Sequence, residues 1–259
     1  FLITGATSGI GFETARQIAL MGHQVIGVGS SIESCTKAND KMLKSGTKVE
    51  FYVCNLSDPE QIKNFADDIK LKYTKLDVLI NNAGVIYLRR LLDSRGIEKT
   101  FSINYLSHYL LTRLLLDIMG GSNPTRIINV SSVVHEKARI DFSDLNTNKY
   151  NWITAYGRSK LAQILFTRQL AILLDSRNIT VNAMHPGLIS TNLISKNGLM
   201  GVLLTFGLKL IGKSPQKGVP TLIKLATSNS ALNISGKYYV NHKEVKLKPH
   251  ATDKESAKM

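Results

Sequence analysis

The sequence is poor in cysteine and in acidic residues, and it has no hydrophobic run of membrane-spanning length. Its two cysteines, Cys35 and Cys54, lie far apart and belong to no cluster with metal-ligand spacing. A disulfide-rich secreted scaffold is therefore excluded, and two ordinary thiols in a reducing compartment fit better than a disulfide. The histidines also lack ligand spacing, so no metal site is predicted.

The shortage of acidic residues leaves a strong positive charge. Lysine and arginine number 33 against 19 aspartates and glutamates, which gives a formal net charge of +14. These cations are scattered, without the basic-aromatic stripe or the motifs of nucleic-acid-binding proteins, so no nucleic-acid partner is predicted. A general surface excess explains the charge best, with an anionic cofactor or an anionic membrane surface as alternatives.

Both ends of the chain lack the signals of a complete protein. The sequence starts at Phe1 inside an apparent strand, without an initiator methionine, and it stops in the charged stretch 253–259. We interpret both termini as truncated, so the absence of an N-terminal signal or anchor says little. An intracellular location is expected, either in the cytoplasm or on an intracellular membrane.

Strand-like and helix-like segments alternate almost throughout the chain. The strand candidates are short, rich in valine and isoleucine, and mostly without polar alternation, as expected for strands covered on both faces. They lie at residues 2–4, 24–29, 48–54, 76–81, 126–131, 180–185 and 237–241. Helical patterns lie between them, at 11–21, 60–73, 100–119, 155–174 and 215–226. This order predicts an α/β fold with a doubly wound, Rossmann-type parallel sheet of about seven strands flanked by helices.

No linker, repeat or low-complexity tract divides the chain, so a single domain is predicted over residues 1–259. Its cofactor-binding half is expected at about 1–130, and its catalytic and substrate-binding half at about 131–259. One apolar, glycine-punctuated stretch at about 188–213 breaks the alternation and is too short to span a bilayer. We predict a small helical substrate lid here; a flap packed on the core and a shallow membrane contact are the alternatives.

A glycine-rich turn follows the first predicted strand and opens the first predicted helix. Its glycines permit a tight turn, close approach of the backbone to a pyrophosphate and close packing of helix on strand. The start of the helix adds free N–H groups and the positive end of the helix dipole. The turn therefore predicts a dinucleotide-phosphate site, to which we assign Gly5, Thr7, Ser8, Gly9, Ile10 and Gly11.

Three further groups of residues have positions suited to a ligand site. Asn82, Ala83 and Gly84 follow the fourth strand at the edge where open α/β sheets bind ligands, and the small residues let the backbone pass a ribose. Ser132 follows the fifth strand at the same edge and can donate to a substrate oxygen. Asn104 lies within a predicted helix, where asparagine is mildly unfavourable and a functional contact would explain it.

Tyr156 and Lys160 form the most informative pair in the chain. On a helix, residues i and i+4 share one face, and an ammonium held there can lower the pKa of a phenol from about 10. Tyr156 would then exchange a proton with a carbonyl or an alcohol near neutral pH. Tyr239 and Lys243 have the same spacing, but in an apparent strand four residues separate side chains by about 13 Å. Only the first pair is assigned a catalytic role.

Together these motifs resemble the short-chain dehydrogenase/reductase superfamily over essentially the whole chain. The motifs that carry the resemblance are, in chain order, Thr4–Gly11, Asn81–Gly84, Asn104, Ser132, Tyr156/Lys160 and Pro186-Gly187. Finer features look most like the retinol dehydrogenase branch: the run 13–16, the turn 131–135, the long separation of Ser132 from Tyr156, and the segment 235–240.

The resemblance implies a role for each catalytic residue. Tyr156 would be the general acid of carbonyl reduction or the base of alcohol oxidation, and Lys160 would lower its pKa and bind the nicotinamide ribose. Ser132 would hold the substrate oxygen, and Asn104 would orient a water that relays protons from Lys160. The further cofactor contacts implied are Ser30, Asn55, Leu56, Asn82, Ala83, Gly84, Pro186, Gly187, Ile189 and Thr191.

Two departures from the family's pattern bear on the cofactor. The segment containing Ser30 and Ser31 has neither the acidic residue of NAD-preferring members nor the arginine of many NADP-preferring relatives. Without a carboxylate nothing repels a 2′-phosphate, and serine hydroxyls can donate to it, so NADP(H) is favoured over NAD(H). Asn55 replaces the usual aspartate near the adenine; its amide oxygen can accept from the adenine amino group, so weaker rather than absent binding is expected.

We therefore predict an NAD(P)-dependent oxidoreductase that transfers hydride between the nicotinamide and a small lipophilic alcohol or carbonyl. Retinoid-like, steroid-like and other apolar aldehyde or ketone substrates are expected. A homodimer or homotetramer is expected from the resemblance, with contact to a membrane surface as an option. The alternative is a catalytically quiet scaffold of the same fold that binds cofactor or lipid, which the complete set of four catalytic residues disfavours.

Overall fold

The structure, a computed structural model, describes residues 1–121, 123–187, 193–194, 197 and 218–258. Eight strands among these residues form one sheet. Their bounds are β1 Leu2–Thr4, β2 Ile26–Gly29, β3 Glu50–Val53, β4 Val78–Asn81, β5 Thr125–Val130, β6 Ile179–His185, β7 Tyr238–Val240 and β8 Lys243–Glu244. In space they lie in the order β3-β2-β1-β4-β5-β6-β7-β8, and all neighbours are parallel except β7 and β8.

The order of the strands reverses between β1 and β4, which creates a crevice at the carboxyl ends of these strands. The predicted doubly wound parallel sheet is thus confirmed. The short strand β8 was not predicted. It forms because the chain turns back at Asn241 and His242, both with positive φ, and pairs with β7 in the antiparallel direction.

Helices cover both faces of the sheet. Their bounds are α1 Gly9–Leu20, α2 Ile32–Lys44, α3 Pro59–Lys72, α4 Lys99–Phe101, α5 Ser107–Leu115, α6 Trp152–Leu173, α7 Val219–Thr227 and α8 Lys254–Lys258. Leu2 packs into the layer with α3, α5 and α6, whereas its neighbour Ile3 packs into the layer with α1, α2 and α7. Successive strand residues point to opposite faces, so two covered faces explain the continuous apolar runs.

Two helix predictions need correction. The helix expected at 100–119 is interrupted, because a π-helical turn at Ser102–Leu106 separates α4 from α5 and a 3₁₀ turn follows at Leu116–Ile118. The helix α2 was not predicted at all. The lid expected at 188–213 lies outside the described residues, apart from residues 193, 194 and 197.

Three further observations concern the described part of the chain. There, no helix combines the length and the apolar character needed to cross a membrane. The same residues contain no cluster of histidine, cysteine, aspartate and glutamate suited to a metal ion. Cys35 and Cys54 are free thiols in buried positions.

Candidate active site

A cavity of about 470 Å³ runs along the carboxyl ends of β1 to β6. The predicted cofactor residues that line it are Gly5, Thr7, Ser8, Gly9, Ile10, Gly11, Ser30, Asn55, Leu56, Asn82, Ala83, Gly84, Tyr156, Lys160 and Pro186. Gly187 is described but does not line the cavity, and Ile189 and Thr191 lie outside the described residues. The sheet therefore brings most of the predicted contacts to one place.

The glycine-rich turn forms part of the wall of this cavity. Gly5 and Gly9 have φ values of +67° and +58°, a region that other residues rarely adopt. A Cβ atom on Gly11 would collide with the Gly5 carbonyl oxygen and the Asn82 side chain. Ser8 begins α1 without a capping hydrogen bond from its side chain. The first N–H groups of α1 are thus available to an anion, and the cradle fits a dinucleotide phosphate.

Thr4 and Asn82 join the two strands, β1 and β4, that border the crevice. The hydroxyl of Thr4 accepts from the backbone N–H groups of Asn82 and Ala83, at 3.0 Å each. The Asn82 side chain in turn donates to the carbonyl oxygen of Thr4 at 2.8 Å. These bonds tie the end of β1 to the end of β4, so Asn82 shapes the cavity through the backbone as well as by lining it.

Tyr156 and Lys160 project from α6, whose start is capped by Asn151. The Asn151 side chain accepts from the N–H groups of Ile153 and Thr154 at 2.9 and 3.1 Å. The Tyr156 hydroxyl hydrogen-bonds with Ser132, and the Lys160 ammonium lies 5.6 Å from the centre of the Tyr156 ring. Ser132, Tyr156 and Lys160 therefore meet at the end of β5, as the sequence indicated.

The pKa values of this pair differ from the prediction. Burial raises the pKa of Tyr156 to about 12, and the hydrogen bond with Ser132 only partly opposes this. Burial also lowers the pKa of Lys160 to about 7. The direction of the Tyr156 shift is opposite to the predicted one. The Lys160 ammonium donates to the Val130 carbonyl and to Gln163, at 2.9 Å each. At neutral pH Tyr156 keeps its proton, which is the form that donates to a carbonyl oxygen.

Asn104 is fully buried in the π-helical turn, and its side chain makes three hydrogen bonds within the protein. Its oxygen accepts from the Val85 N–H at 2.8 Å, and its nitrogen donates to the Val85 carbonyl and to the Ser159 hydroxyl at 3.0 Å each. Its side chain does not line the cavity. These bonds position the loop after β4 against α6, and the role of Asn104 in orienting a water stays a prediction.

The side-chain oxygen of Asn55 also makes its hydrogen bonds within the protein. That oxygen accepts from the backbone N–H and the hydroxyl of Ser57, at 3.1 and 2.9 Å. A carbonyl oxygen has two lone pairs, so both are already used. The expected hydrogen bond from an adenine amino group to this oxygen thus competes with the local turn.

Two buried residues that the sequence reasoning missed connect Lys160 to the glycine-rich turn. Gln163 accepts from Lys160 and donates to Nδ1 of His108 at 3.0 Å, and Nε2 of His108 lies 3.3 Å from the Thr4 hydroxyl. Because the Gln163 nitrogen can only donate, we assign the neutral His108 tautomer with its proton on Nε2. Polar residues on the buried faces of α5 and α6 were the available signal.

We expect His108 to make the fold sensitive to acid. Burial, with the nearby Lys160 charge, lowers the pKa of His108 to about 3, against about 6.5 in an unfolded chain. A depressed pKa contributes stability that is complete above pH 6.5 and is lost as the pH falls towards 3. Between pH 6.5 and 5 the wild type should lose about 2 kcal/mol more unfolding free energy than His108→Gln.

Urea unfolding at several pH values measures this difference. His23→Gln, at an exposed histidine, is the matched control and should follow the wild type. Equal pH slopes for the wild type and His108→Gln would contradict the assignment of a neutral, buried His108.

The helix α2 contributes lining residues that were also missed. Ser34, Lys37 and Lys41 lie on one face of this helix and line the cavity beyond the end of β2. Their spacing of i, i+3 and i+7 is the sequence signal that could have revealed them. The apolar part of the lining comes from residues outside α2, in particular Val85 and Ile103.

The second tyrosine–lysine spacing lies elsewhere in the sheet. Tyr239 is buried on β7, Lys243 is exposed on β8, and neither lines the cavity. The separation argued from one extended strand is wrong, because the chain reverses between the two residues and pairs Tyr239 with Glu244. The exclusion of this pair from the site still holds by position.

A doubly wound sheet with a glycine-rich phosphate cradle, a tyrosine and a lysine at one cavity, and a serine hydrogen-bonded to that tyrosine define a nucleotide-dependent oxidoreductase. The chain belongs to the short-chain dehydrogenase family, whose model, described as short chain dehydrogenase, matches residues 1–199. Its sequence places it in the retinol dehydrogenase-like branch, and it is an enzyme that acts on alcohol or carbonyl groups with a nicotinamide cofactor.

Named relatives and a solved structure are similar over most of their length. Human retinol dehydrogenase 13 is 37% identical over 270 residues, covering 99% of this chain and 80% of that protein. Human polyprenol dehydrogenase is 35% identical, covering 95% of this chain and 77% of that protein. The crystal structure of an uncharacterised protein from Mycobacterium paratuberculosis is 28% identical, with a TM-score of 0.77, and covers 99% of this chain and 88% of that one.

Proposed function

We propose that this protein is an NADP(H)-dependent oxidoreductase that interconverts a lipophilic carbonyl compound and its alcohol, with Tyr156 as the proton donor or acceptor. The observation that carries the proposal is that Tyr156 and Lys160 line the same cavity as the glycine-rich turn. A dinucleotide whose phosphates lie on that turn can reach the tyrosine–lysine pair along this cavity.

The residues of the chain have complementary roles in this reaction. When bound, the cofactor supplies or takes up the hydride. Tyr156 gives its phenolic proton to the carbonyl oxygen, and Ser132, its hydrogen-bond partner, holds the same oxygen. Lys160 has a third N–H beyond those directed to Val130 and Gln163, and this one can bind ribose hydroxyls.

Apolar side chains near the catalytic pair support a lipophilic substrate. Val85, Ile103 and Leu193 line the cavity together with Tyr156. Two similar proteins are named for retinol and polyprenol, which are apolar alcohols. We propose retinoid-like, steroid-like and other apolar aldehydes or ketones as the substrate class.

Turnover with a panel of carbonyl compounds tests the proposal. The purified protein is mixed with NADPH or NADH and with retinal, a steroid ketone or a long-chain aldehyde, and the loss of reduced cofactor is followed by absorbance. Reduction of at least one apolar substrate, faster than that of a short polar ketone, is expected. Measurable NADPH binding without turnover of any substrate would favour the catalytically quiet scaffold.

A further inference from the structure

The helix α2 presents two lysines to the cavity at the place where the adenosine ribose of a dinucleotide belongs. In open α/β sheets this ribose lies beyond the carboxyl end of β2. There the cavity is lined by Gly29, Ser30, Ser34, Lys37 and Lys41. Ser30 has no charge, and the charged side chains that line this end of the cavity are the two lysines of α2.

Close packing holds α2 against the glycine-rich turn. A Cβ atom on Gly29 would lie 2.5 Å from both the Cys35 sulfur and the Thr7 methyl carbon, and 3.3 Å from the Ser34 hydroxyl. Only glycine therefore lets β2, α2 and the turn approach so closely. Lys37 and Lys41 lie one helical turn apart on the same face as Ser34, and all three residues line the cavity.

The serine hydroxyls near this place are already engaged. The Ser31 hydroxyl accepts from the Ser34 N–H at 3.2 Å, as the cap of α2, and donates to the Ser34 hydroxyl at 3.1 Å. The Ser34 hydroxyl donates to the Ser31 carbonyl at 2.9 Å. Neither hydroxyl has a proton left for a ligand in this arrangement, so the sequence-based expectation that Ser31 donates to a 2′-phosphate loses its support.

The charge around the cavity is of one sign. Among the described lining residues there is no aspartate or glutamate, whereas Lys37, Lys41 and Lys160 are present. Lys37 pairs with Glu33 at 2.5 Å, but both side chains are more than two-thirds exposed, and such surface pairs contribute little. Lys41 has no ion pair within the described part of the chain. Both lysines can therefore turn towards a phosphate.

We infer that Lys37 and Lys41 form the binding site for the 2′-phosphate of NADP(H). The inference rests on the proposed function, because it assumes that the cavity binds a nicotinamide dinucleotide. A phosphate monoester carries close to two negative charges at neutral pH, and two ammonium groups can neutralise them. The ribose hydroxyl of NAD(H) offers these lysines no such charge.

Calorimetric titration of adenosine fragments isolates this site from the rest of the cofactor. The probes 2′,5′-ADP and 5′-AMP differ only in the 2′-phosphate, and NADPH and NADH are titrated beside them. In the variant Lys37→Gln/Lys41→Gln, binding of 2′,5′-ADP and NADPH should weaken by about 10- to 100-fold. Binding of 5′-AMP and NADH should change by less than about twofold.

Lys44→Gln is the control, because it removes one lysine charge from the same helix at a residue that does not line the cavity. It should leave all four affinities nearly unchanged. Equal losses of 2′,5′-ADP and NADPH affinity in Lys44→Gln and in the double variant would overturn the inference in favour of a general effect of the positive surface. Loss of 5′-AMP binding together with 2′,5′-ADP binding would also overturn it.

The outcomes also separate this inference from the proposed function. Selective loss of NADPH binding in the double variant supports the lysine site even if no carbonyl substrate turns over. Normal turnover with NADPH and unchanged NADPH affinity in the double variant would overturn the lysine site alone. If the wild type binds neither NADPH nor NADH, both proposals fail.

Discussion

The Tyr156→Phe variant is expected to lose at least about 100-fold in kcat for carbonyl reduction, while its Kd for NADPH stays within about twofold of the wild type. Phenylalanine keeps the ring but removes the phenolic proton and the hydrogen bond with Ser132. Proton transfer from a positioned side chain contributes about 10²- to 10⁴-fold to a rate. The loss should therefore fall on the chemical step, which steady-state kinetics and calorimetric NADPH titration separate.

Tyr239→Phe is the control that the chain itself provides. Tyr239 has a lysine four residues later, as Tyr156 has, but it lies on β7 away from the cavity. Its replacement should leave kcat and the NADPH affinity nearly unchanged. Unchanged turnover in Tyr156→Phe, or an equal loss in both variants, would show that the phenol of Tyr156 is not the proton donor.

The second large effect is expected from Gly11→Ala. Its new methyl group would collide with the Gly5 carbonyl oxygen, and with the Asn82 side chain that joins β1 to β4. Overpacking of this kind costs about 1–3 kcal/mol of unfolding free energy, and relief of the clash must distort the phosphate cradle. NADPH affinity should fall by at least about tenfold. Urea unfolding and calorimetric NADPH titration measure the two effects.

Gly157→Ala is the matched substitution, because Gly157 is also a helical glycine without a positive φ. Its Cβ atom would lie 3.2 Å from the Cβ atom of Ala138, with the next neighbour at 3.6 Å. A small shift accommodates this contact, and alanine is favoured over glycine in a helix by up to about 1 kcal/mol. Stability and NADPH affinity should therefore change little. Equal losses in both variants would mean that the crowding at Gly11 is unimportant.

The parts of the site that the sequence predicted are those encoded by local patterns. The glycine-rich turn is visible because its glycines meet a steric demand that no other residue meets at that spacing. Tyr156 and Lys160 are visible because a helix brings i and i+4 together regardless of the rest of the chain. Ser132 joins them because parallel strands end at one edge of the sheet, so the end of a predicted strand gives its position.

The parts that the sequence did not predict depend on contacts between distant segments. The side chain of Asn104 is taken up by Val85 and Ser159, which no local pattern could show. The break in the helix that carries Asn104 was also missed, because a π-helical turn has no distinctive residue spacing in the sequence. Lys37 and Lys41 were missed because the helix that carries them was not predicted.

By itself, the sequence determined the order of strands and helices, the phosphate cradle and the tyrosine–lysine pair, since each follows from backbone sterics and side-chain periodicity over a few residues. Only the tertiary structure decided the protonation of that pair and the charge at the ribose end of the cavity. Burial raises the pKa of Tyr156 and lowers that of Lys160, because removing a charged group from water is unfavourable and destabilises its charged form. Solvation of this kind depends on every element packed around a group, and it exists only in the folded chain.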